Sequence, residues 1–165
     1  MKSGSLIVFV FFLNLPQELI GQSDYLRISL EFQHSLSIPN GHINVELTKA
    51  SGIAFVEAKS TPSKEDSNWT HTKVDTSFQI STEDFERIMA LVKDIPIQEI
   101  YSKIEPSGFG HDGTTGIIKY GNFDYTISVS IWSPDYKPKN RRTTEFLIAF
   151  KEILKLGGFK PNKVL

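Results

Sequence analysis

The strongest constraint on the fold is a stretch of strict alternation between Phe123 and Trp132. Apolar side chains occupy every second position from Phe123 onward, and polar side chains followed by Trp132 occupy the positions between them. Because successive side chains of a strand point to opposite faces, this pattern predicts a β-strand with one buried face and one wet face. Gly121-Asn122 in front of it predicts a two-residue hairpin turn to a preceding strand.

The N-terminal half of the chain predicts further strands. Two runs alternate cleanly, and the Pro-Asn-Gly sequence at 39–41 between them indicates an antiparallel hairpin. Two later runs alternate less regularly, and the polar segment 60–70 between them predicts a surface loop. The four predicted strands cover residues 24–33, 42–48, 53–58 and 71–80.

Two amphipathic helices are predicted around this sheet. The first begins after Ser81, with Asp84 as capping-box partner, and ends before Pro96. The second begins after Thr143 or Thr144 and ends at the glycine pair 157–158. We therefore predict an α+β fold, with an antiparallel sheet of five or six strands and both helices packed on one face. The order of the strands stays open.

Composition narrows the function classes. The 165 residues form one domain by length, and a net charge of −1 disfavours sequence-independent binding to nucleic acid. The chain contains no cysteine, which removes disulfides, thiolate catalysis and Cys-ligated zinc together. We expect no cofactor.

The N-terminus predicts export. Lys2 precedes an unbroken apolar run at 6–13, which is too short to span a bilayer as a helix. We predict a signal peptide at 1–21 and a single α+β domain at 22–165, located in the periplasm or outside the cell and not inserted in the membrane after cleavage. A buried N-terminal strand is the alternative interpretation of the apolar run.

One candidate catalytic pair lies in a glycine-rich loop. Residues 108–113 match G-x-G-x-x-G but precede a strand, so the helix dipole that such a nucleotide site needs is missing. Within the loop, His111 and Asp112 offer a base or a metal ligand. An Asp-Gly turn without chemistry explains the same residues. We predict no metal site, and His42 and Glu46 lie too far apart along a strand to share an ion.

A second candidate is a surface patch that is both aromatic and basic. Such amphipathic side chains favour partner binding, whereas a solvated loop with Trp132 packed on its neighbours is the alternative interpretation. The candidate binding residues are Trp132, Tyr136, Lys137, Lys139, Arg141 and Arg142.

The C-terminal half, from Ser77 to Gly158, contains the runs SFQISTEDFERIMALV, GHDGTTGIIKYGNFDYTISVSIWSP and TTEFLIAFKEILKLGG, which place a DGT turn before a hairpin and end in an amphipathic helix. In these motifs it resembles small exported bacterial proteins of unknown function. The resemblance implies an α+β envelope domain and no particular activity. Our main hypothesis is a non-enzymatic exported module that binds a protein or envelope component. The alternatives are a hydrolase or metal-dependent enzyme that uses His111 and Asp112, and an inhibitor or immunity-type protein.

Overall fold

The computed structural model describes residues 25–34, 41–65, 71–102 and 113–165, without the side chains of 61–65 and 71–73. The predicted signal peptide lies outside these ranges. The strands are β1 (Leu26–His34), β2 (His42–Ala50), β3 (Ile53–Glu65), β4 (His71–Ile80), β5 (Thr114–Gly121) and β6 (Thr126–Trp132). The helices are α1 (Thr82–Lys93), α2 (Ile97–Ser102), α3 (Pro138–Arg141) and α4 (Thr144–Leu156), and a 3₁₀ turn (Pro161–Lys163) follows.

The six strands form one antiparallel sheet in the order β4-β3-β2-β1-β5-β6. Strand β1 is central, because Leu30 pairs with Val45 of β2 on one side and with Ile118 of β5 on the other. The predicted hairpin of β1 and β2 and the α+β architecture are confirmed.

Both long helices pack on the same face of the sheet, as predicted, and against each other. Helix α1 contacts β2, β3 and β5, and α4 contacts β1. The aromatic centre of the core joins strand to helix, since the ring of Phe150 lies 5.7 Å from that of Phe32 and 6.0 Å from that of Phe146. We call the opposite side of the sheet the open face. It carries cross-strand ion pairs such as Lys119 with Glu31, at 2.6 Å.

The turn between β5 and β6 differs from the prediction. It contains four residues, from Asn122 to Tyr125, because Gly121 pairs with Thr126. The Oδ1 atom of Asn122 accepts hydrogen bonds from the backbone N–H groups of Asp124 (2.8 Å) and Tyr125 (3.1 Å). A side-chain oxygen that holds the following backbone in this way stabilises an Asx turn. The prediction of a two-residue turn was therefore wrong, and β6 begins three residues later than the alternation suggested.

Strand β3 is longer than predicted. It continues through Pro62 to Glu65, which pairs with His71 of β4, so the predicted loop was wrong for residues 60–65. The register shifts between Ser60 and Lys64. A bulge tolerates proline, because the missing N–H breaks no regular ladder bond there. Residues 66–70 lie outside the described ranges.

The helix ends follow their sequence signals, with one exception. The Oγ atom of Ser81 accepts a hydrogen bond from the N–H of Asp84 at 3.0 Å. At the end of α4, Gly158 is left-handed (φ 83°), and the N–H of Phe159 returns to the carbonyl of Leu154. This is a Schellman end of the kind that glycine favours. Thr143 precedes α4 as predicted, but its hydroxyl donates to Pro134 instead of capping the helix.

We expect Ser81→Ala to lower the free energy of unfolding by about 1 kcal/mol, because the first turn of α1 loses its side-chain acceptor. Urea denaturation followed by circular dichroism measures the change. Ser128→Ala is the matched control: this exposed serine stands on the open face of β6, and its loss should cost less than about 0.5 kcal/mol. Equal costs for the two variants would contradict the capping role.

Candidate functional site

All six predicted binding residues lie at the end of β6 or in the connection from β6 to α4. We call this segment, residues 132–142, the basic loop. Trp132 ends β6, and the single turn of α3 leads the chain toward α4. The loop is also tied to the sheet, because the N–H of Ser133 donates to the carbonyl of Thr114 at 2.7 Å. The six candidate residues are therefore neighbours in one anchored segment.

Arg141 holds this loop together from within. Its guanidinium donates to the carbonyl of Ser133 (2.7 Å) and to that of Trp132 (2.7 Å), with a longer third bond to Tyr136 (3.4 Å). Desolvation lowers the pKa of Arg141, while the nearby carboxylate of Asp135 acts in the opposite direction. Because the planar fork of donors faces three backbone carbonyls, the main contribution of Arg141 is to set the shape of the loop.

The backbone of the loop is held in an uncommon conformation. Ser133, Lys137 and Arg142 have φ values of 42°, 45° and 57°, in the left-handed region that residues with a Cβ seldom adopt. Such residues persist only where surrounding bonds determine the conformation, and they concentrate at binding and catalytic sites. The bonds from Arg141 and the N–H of Thr143 to the carbonyl of Pro138 (2.9 Å) provide that support.

The remaining candidates face outward to different degrees. Tyr136 is 53% exposed, and the Nζ atom of Lys137 lies 5.0 Å from the centre of its ring, a cation–π distance. Lys139 is exposed, and the Nε atom of Arg142 lies 3.8 Å from a carboxylate oxygen of Glu99, also at the surface. The outer side of the loop therefore presents an aromatic ring among exposed cations.

Trp132 is half-buried and packs on its neighbours. A Cβ atom added to Gly113 would lie 2.5 Å from the indole nitrogen of Trp132 and 3.0 Å from the hydroxyl oxygen of Ser133. The indole thus lies directly on the backbone at Gly113. This contact agrees with the alternative interpretation of Trp132 as a packing residue, and it leaves Tyr136 as the more exposed aromatic side chain of the loop.

The structure does not test the candidate catalytic pair. His111 and Asp112 lie outside the described residues, as do residues 108–110 of the glycine-rich loop, and the described chain resumes at Gly113. Within the described ranges, no three His, Asp or Glu side chains come together in a group that could hold a metal ion. The enzyme hypothesis stays a prediction.

An exposed aromatic cluster at the other end of β6 was missed by the sequence analysis. The rings of Tyr25 and Phe123 stack with centroids 4.1 Å apart and an interplanar angle of 17°, and Phe123 is 72% exposed. Burial raises the pKa of Tyr120, and the adjacent Tyr125 adds to the rise. Alternation assigned Phe123 and Tyr125 to the buried face. The signal that could have prevented this error is Asn122, because an asparagine side chain can hydrogen-bond to the backbone two residues further on and form an Asx turn.

In comparisons with known proteins, no protein-family model and no curated protein matched this chain. Among the described residues, no helix is both long enough and apolar enough to cross a membrane.

Proposed function

We propose that this protein is an exported, non-enzymatic domain that binds a protein partner through the outer side of the basic loop. The observation that carries the proposal is the arrangement around Arg141. Arg141 donates its hydrogen bonds to the carbonyls of Trp132 and Ser133 and so fixes the shape of the loop. In this shape the remaining cations and Tyr136 lie at the surface. Inhibitor and immunity-type proteins belong to this class and differ in the identity of the partner.

A preformed loop favours binding because ordering has already taken place. Fixing a flexible segment on association costs about 0.5–1.5 kcal/mol for each immobilised long side chain, and more for the backbone. In this loop the backbone is already ordered in the folded protein, by the hydrogen bonds of Arg141 and in the conformation that includes the three left-handed residues. The entropy of the loop backbone is therefore lost during folding and not on binding. The loop can therefore dock with little backbone rearrangement.

The charge of the loop indicates the chemistry of the partner. Residues 132–142 contain four cationic side chains and one carboxylate, Asp135, whereas the whole chain has a net charge of −1. Positive charge is thus concentrated at one edge of the molecule. Exposed tyrosine and arginine are also the residue types that most often anchor protein interfaces. We infer an acidic surface on the partner.

The test is charge reversal on the loop while its inner hydrogen bonds stay intact. A chain that carries both Lys139→Glu and Arg142→Glu keeps Arg141, so its fold should be retained. We expect its affinity for the partner to fall on the order of tenfold or more, since cations opposite an acidic surface would become like charges. Immobilised protein is exposed to periplasmic extract, and the retained proteins are identified and their affinities measured.

The matched control reverses the same number of charges elsewhere. Lys93 at the end of α1 and Lys160 after α4 are exposed, and a chain with both changed to Glu has the same net charge as the loop variant. A partner that is lost by the loop variant and kept by the control supports the proposal. Retention of the same proteins by all three chains would show that the basic loop is not the binding surface.

A further inference from the structure

The two edges of the sheet are protected differently. At the β6 edge, the backbone N–H of Ser130 donates to the hydroxyl oxygen of Tyr101 on α2 at 3.3 Å, so a side chain from a helix satisfies one backbone group of that edge. At the opposite edge, β4 pairs with β3 on its inner side, and no other described strand or helix pairs with its outer side. A strand with unpaired N–H and C=O groups is a template for another strand.

The second half of β4 does not protect this edge. The strand contains no proline, and its two charged residues, Lys73 and Asp75, both lie in its first half, although charges and prolines are the usual means of blocking an edge. Phe78 lies on the helix side of the sheet but beyond the cover of the helices, and it is 41% exposed. On the other face of the sheet, the neighbouring strand carries Phe55 opposite Gln79, and Phe55 is also exposed. Apolar surface therefore accompanies the open backbone groups.

We propose that β4 pairs with β4 of a second copy of this chain, antiparallel and with Ser77 opposite Ser77. The two open edges then close each other, and the two sheets become one sheet of twelve strands. The proposal concerns self-association, so it does not depend on the partner proposed for the basic loop.

The register follows from the pattern of the strand. Side chains at even positions of β4 lie on the helix side and those at odd positions on the open face. A twofold pairing must keep these faces matched, because a shift by one residue exchanges them. Among the registers that keep the faces matched, centring on Ser77 pairs the seven residues from Val74 to Ile80 with one another, which is the part of β4 whose side chains the structure describes. Centring on Asp75 would place two like charges directly opposite each other.

The side chains match in this register. On the helix side, Val74 stands opposite Ile80 of the other copy, and Thr76 opposite Phe78, with the two phenylalanines in diagonal contact range. On the open face, Asp75 stands opposite Gln79, whose amide can donate to the carboxylate. No two like charges stand directly opposite each other. Residues 74–80 can therefore pair with the same residues of a second copy in antiparallel orientation, as an isologous dimer requires.

The absence of cysteine allows a direct test by cross-linking. Ser77→Cys introduces the sole thiol of the chain. In the proposed dimer, directly opposite Cα atoms lie about 4.5–5.5 Å apart, within the range that a disulfide bridges. We expect the purified variant, oxidised with diamide, to form a covalent dimer in high yield, measured by non-reducing electrophoresis.

Gln79→Cys is the matched control for cross-linking. This position lies on the same face only two residues away, but in the proposed register the two copies of Gln79 are about 13 Å apart along the strands. We expect the yield of covalent dimer to fall at least about tenfold relative to Ser77→Cys, because a disulfide cannot span that separation. Equal yields from the two variants, or no covalent dimer from Ser77→Cys, would overturn the proposal.

Sedimentation velocity of the unmodified protein gives a second readout. A single strand pair is smaller than a standard interface, so we expect a concentration-dependent dimer. Phe78→Lys should weaken it by about tenfold or more, and Ile148→Lys, at an equally exposed apolar residue of α4, should not. Pairing through β4 would be contradicted if the native protein stayed monomeric, or if both variants weakened the dimer equally.

Discussion

Replacing Phe150 by alanine is expected to lower the free energy of unfolding by about 3–5 kcal/mol, the usual cost of deleting a fully buried aromatic ring. The ring lies between the sheet and α4, against Phe32 and Phe146. Beneath it stands Gly116 of β5, where an added Cβ would lie 2.7 Å from the Phe150 ring. Backbone and ring are in direct contact there, so little can move inward to fill the cavity. Urea denaturation measures the loss.

Ile148→Ala is the control for this variant. Ile148 belongs to the same helix but is 46% exposed, so its truncation should cost less than about 1 kcal/mol. If the two variants were equally stable, the contact of α4 with the sheet through Phe150 would be wrong. Gly116→Ala is expected to destabilise the native protein through the same contact and to be better tolerated when Phe150 is leucine.

Replacing Arg141 by methionine is expected to cost about 2–3 kcal/mol and to open the basic loop. Methionine keeps much of the aliphatic stem but leaves the carbonyls of Trp132 and Ser133 without their donor, and hydrogen bonds to charged groups contribute about 1.5–3 kcal/mol. Arg141→Lys should recover only part of the loss, because an ammonium group cannot reproduce the planar fork. Urea denaturation measures stability, and the rate of trypsin cleavage after Lys139 measures opening of the loop.

The control for this variant is Arg142→Met. Arg142 is exposed and makes one long contact with Glu99. We therefore expect Arg142→Met to change the free energy of unfolding by less than about 0.5 kcal/mol. The two arginines adjoin in sequence, and the comparison therefore separates an inner role from an outer one. If Arg141→Met were as stable and as resistant to trypsin as Arg142→Met, the loop would not depend on this guanidinium. If the basic loop binds a partner as proposed, we expect Arg141→Met to weaken binding by changing the shape of the loop, and Arg142 variants to weaken it by removing a charge that faces the partner.

Strands with regular alternation and helix ends with capping residues were predicted correctly from the sequence. Alternation located β1, β2 and most of β6, and the signals at Ser81 and Gly158 located helix ends. The turn at Asn122 was wrong because alternation continues through its exposed residues, where a side-chain oxygen and not burial sets the backbone.

The strand order and the shape of the basic loop could not be predicted. The pairing of β1 with β5 joins residues far apart in the chain, and no local pattern encodes it. The role of Arg141 depends on backbone carbonyls, which every residue type carries, so its sequence context does not distinguish it from Lys139 or Arg142. The six candidate residues lie close together in the sequence, but their division into inner and outer groups needed the structure.

The central position of β1 has a consequence for how the chain reaches its native state. Strands β1 to β4 each pair with a neighbour in the chain, whereas the contact between Glu31 and Lys119 spans 88 residues. Closing so long a loop costs entropy before any contact repays it, so the β5–β6 hairpin should dock after the four-stranded meander has formed. Until then, the outer side of β1, an apolar strand, is itself an open edge. The interval before β5 docks is therefore when the chain is most vulnerable to aggregation.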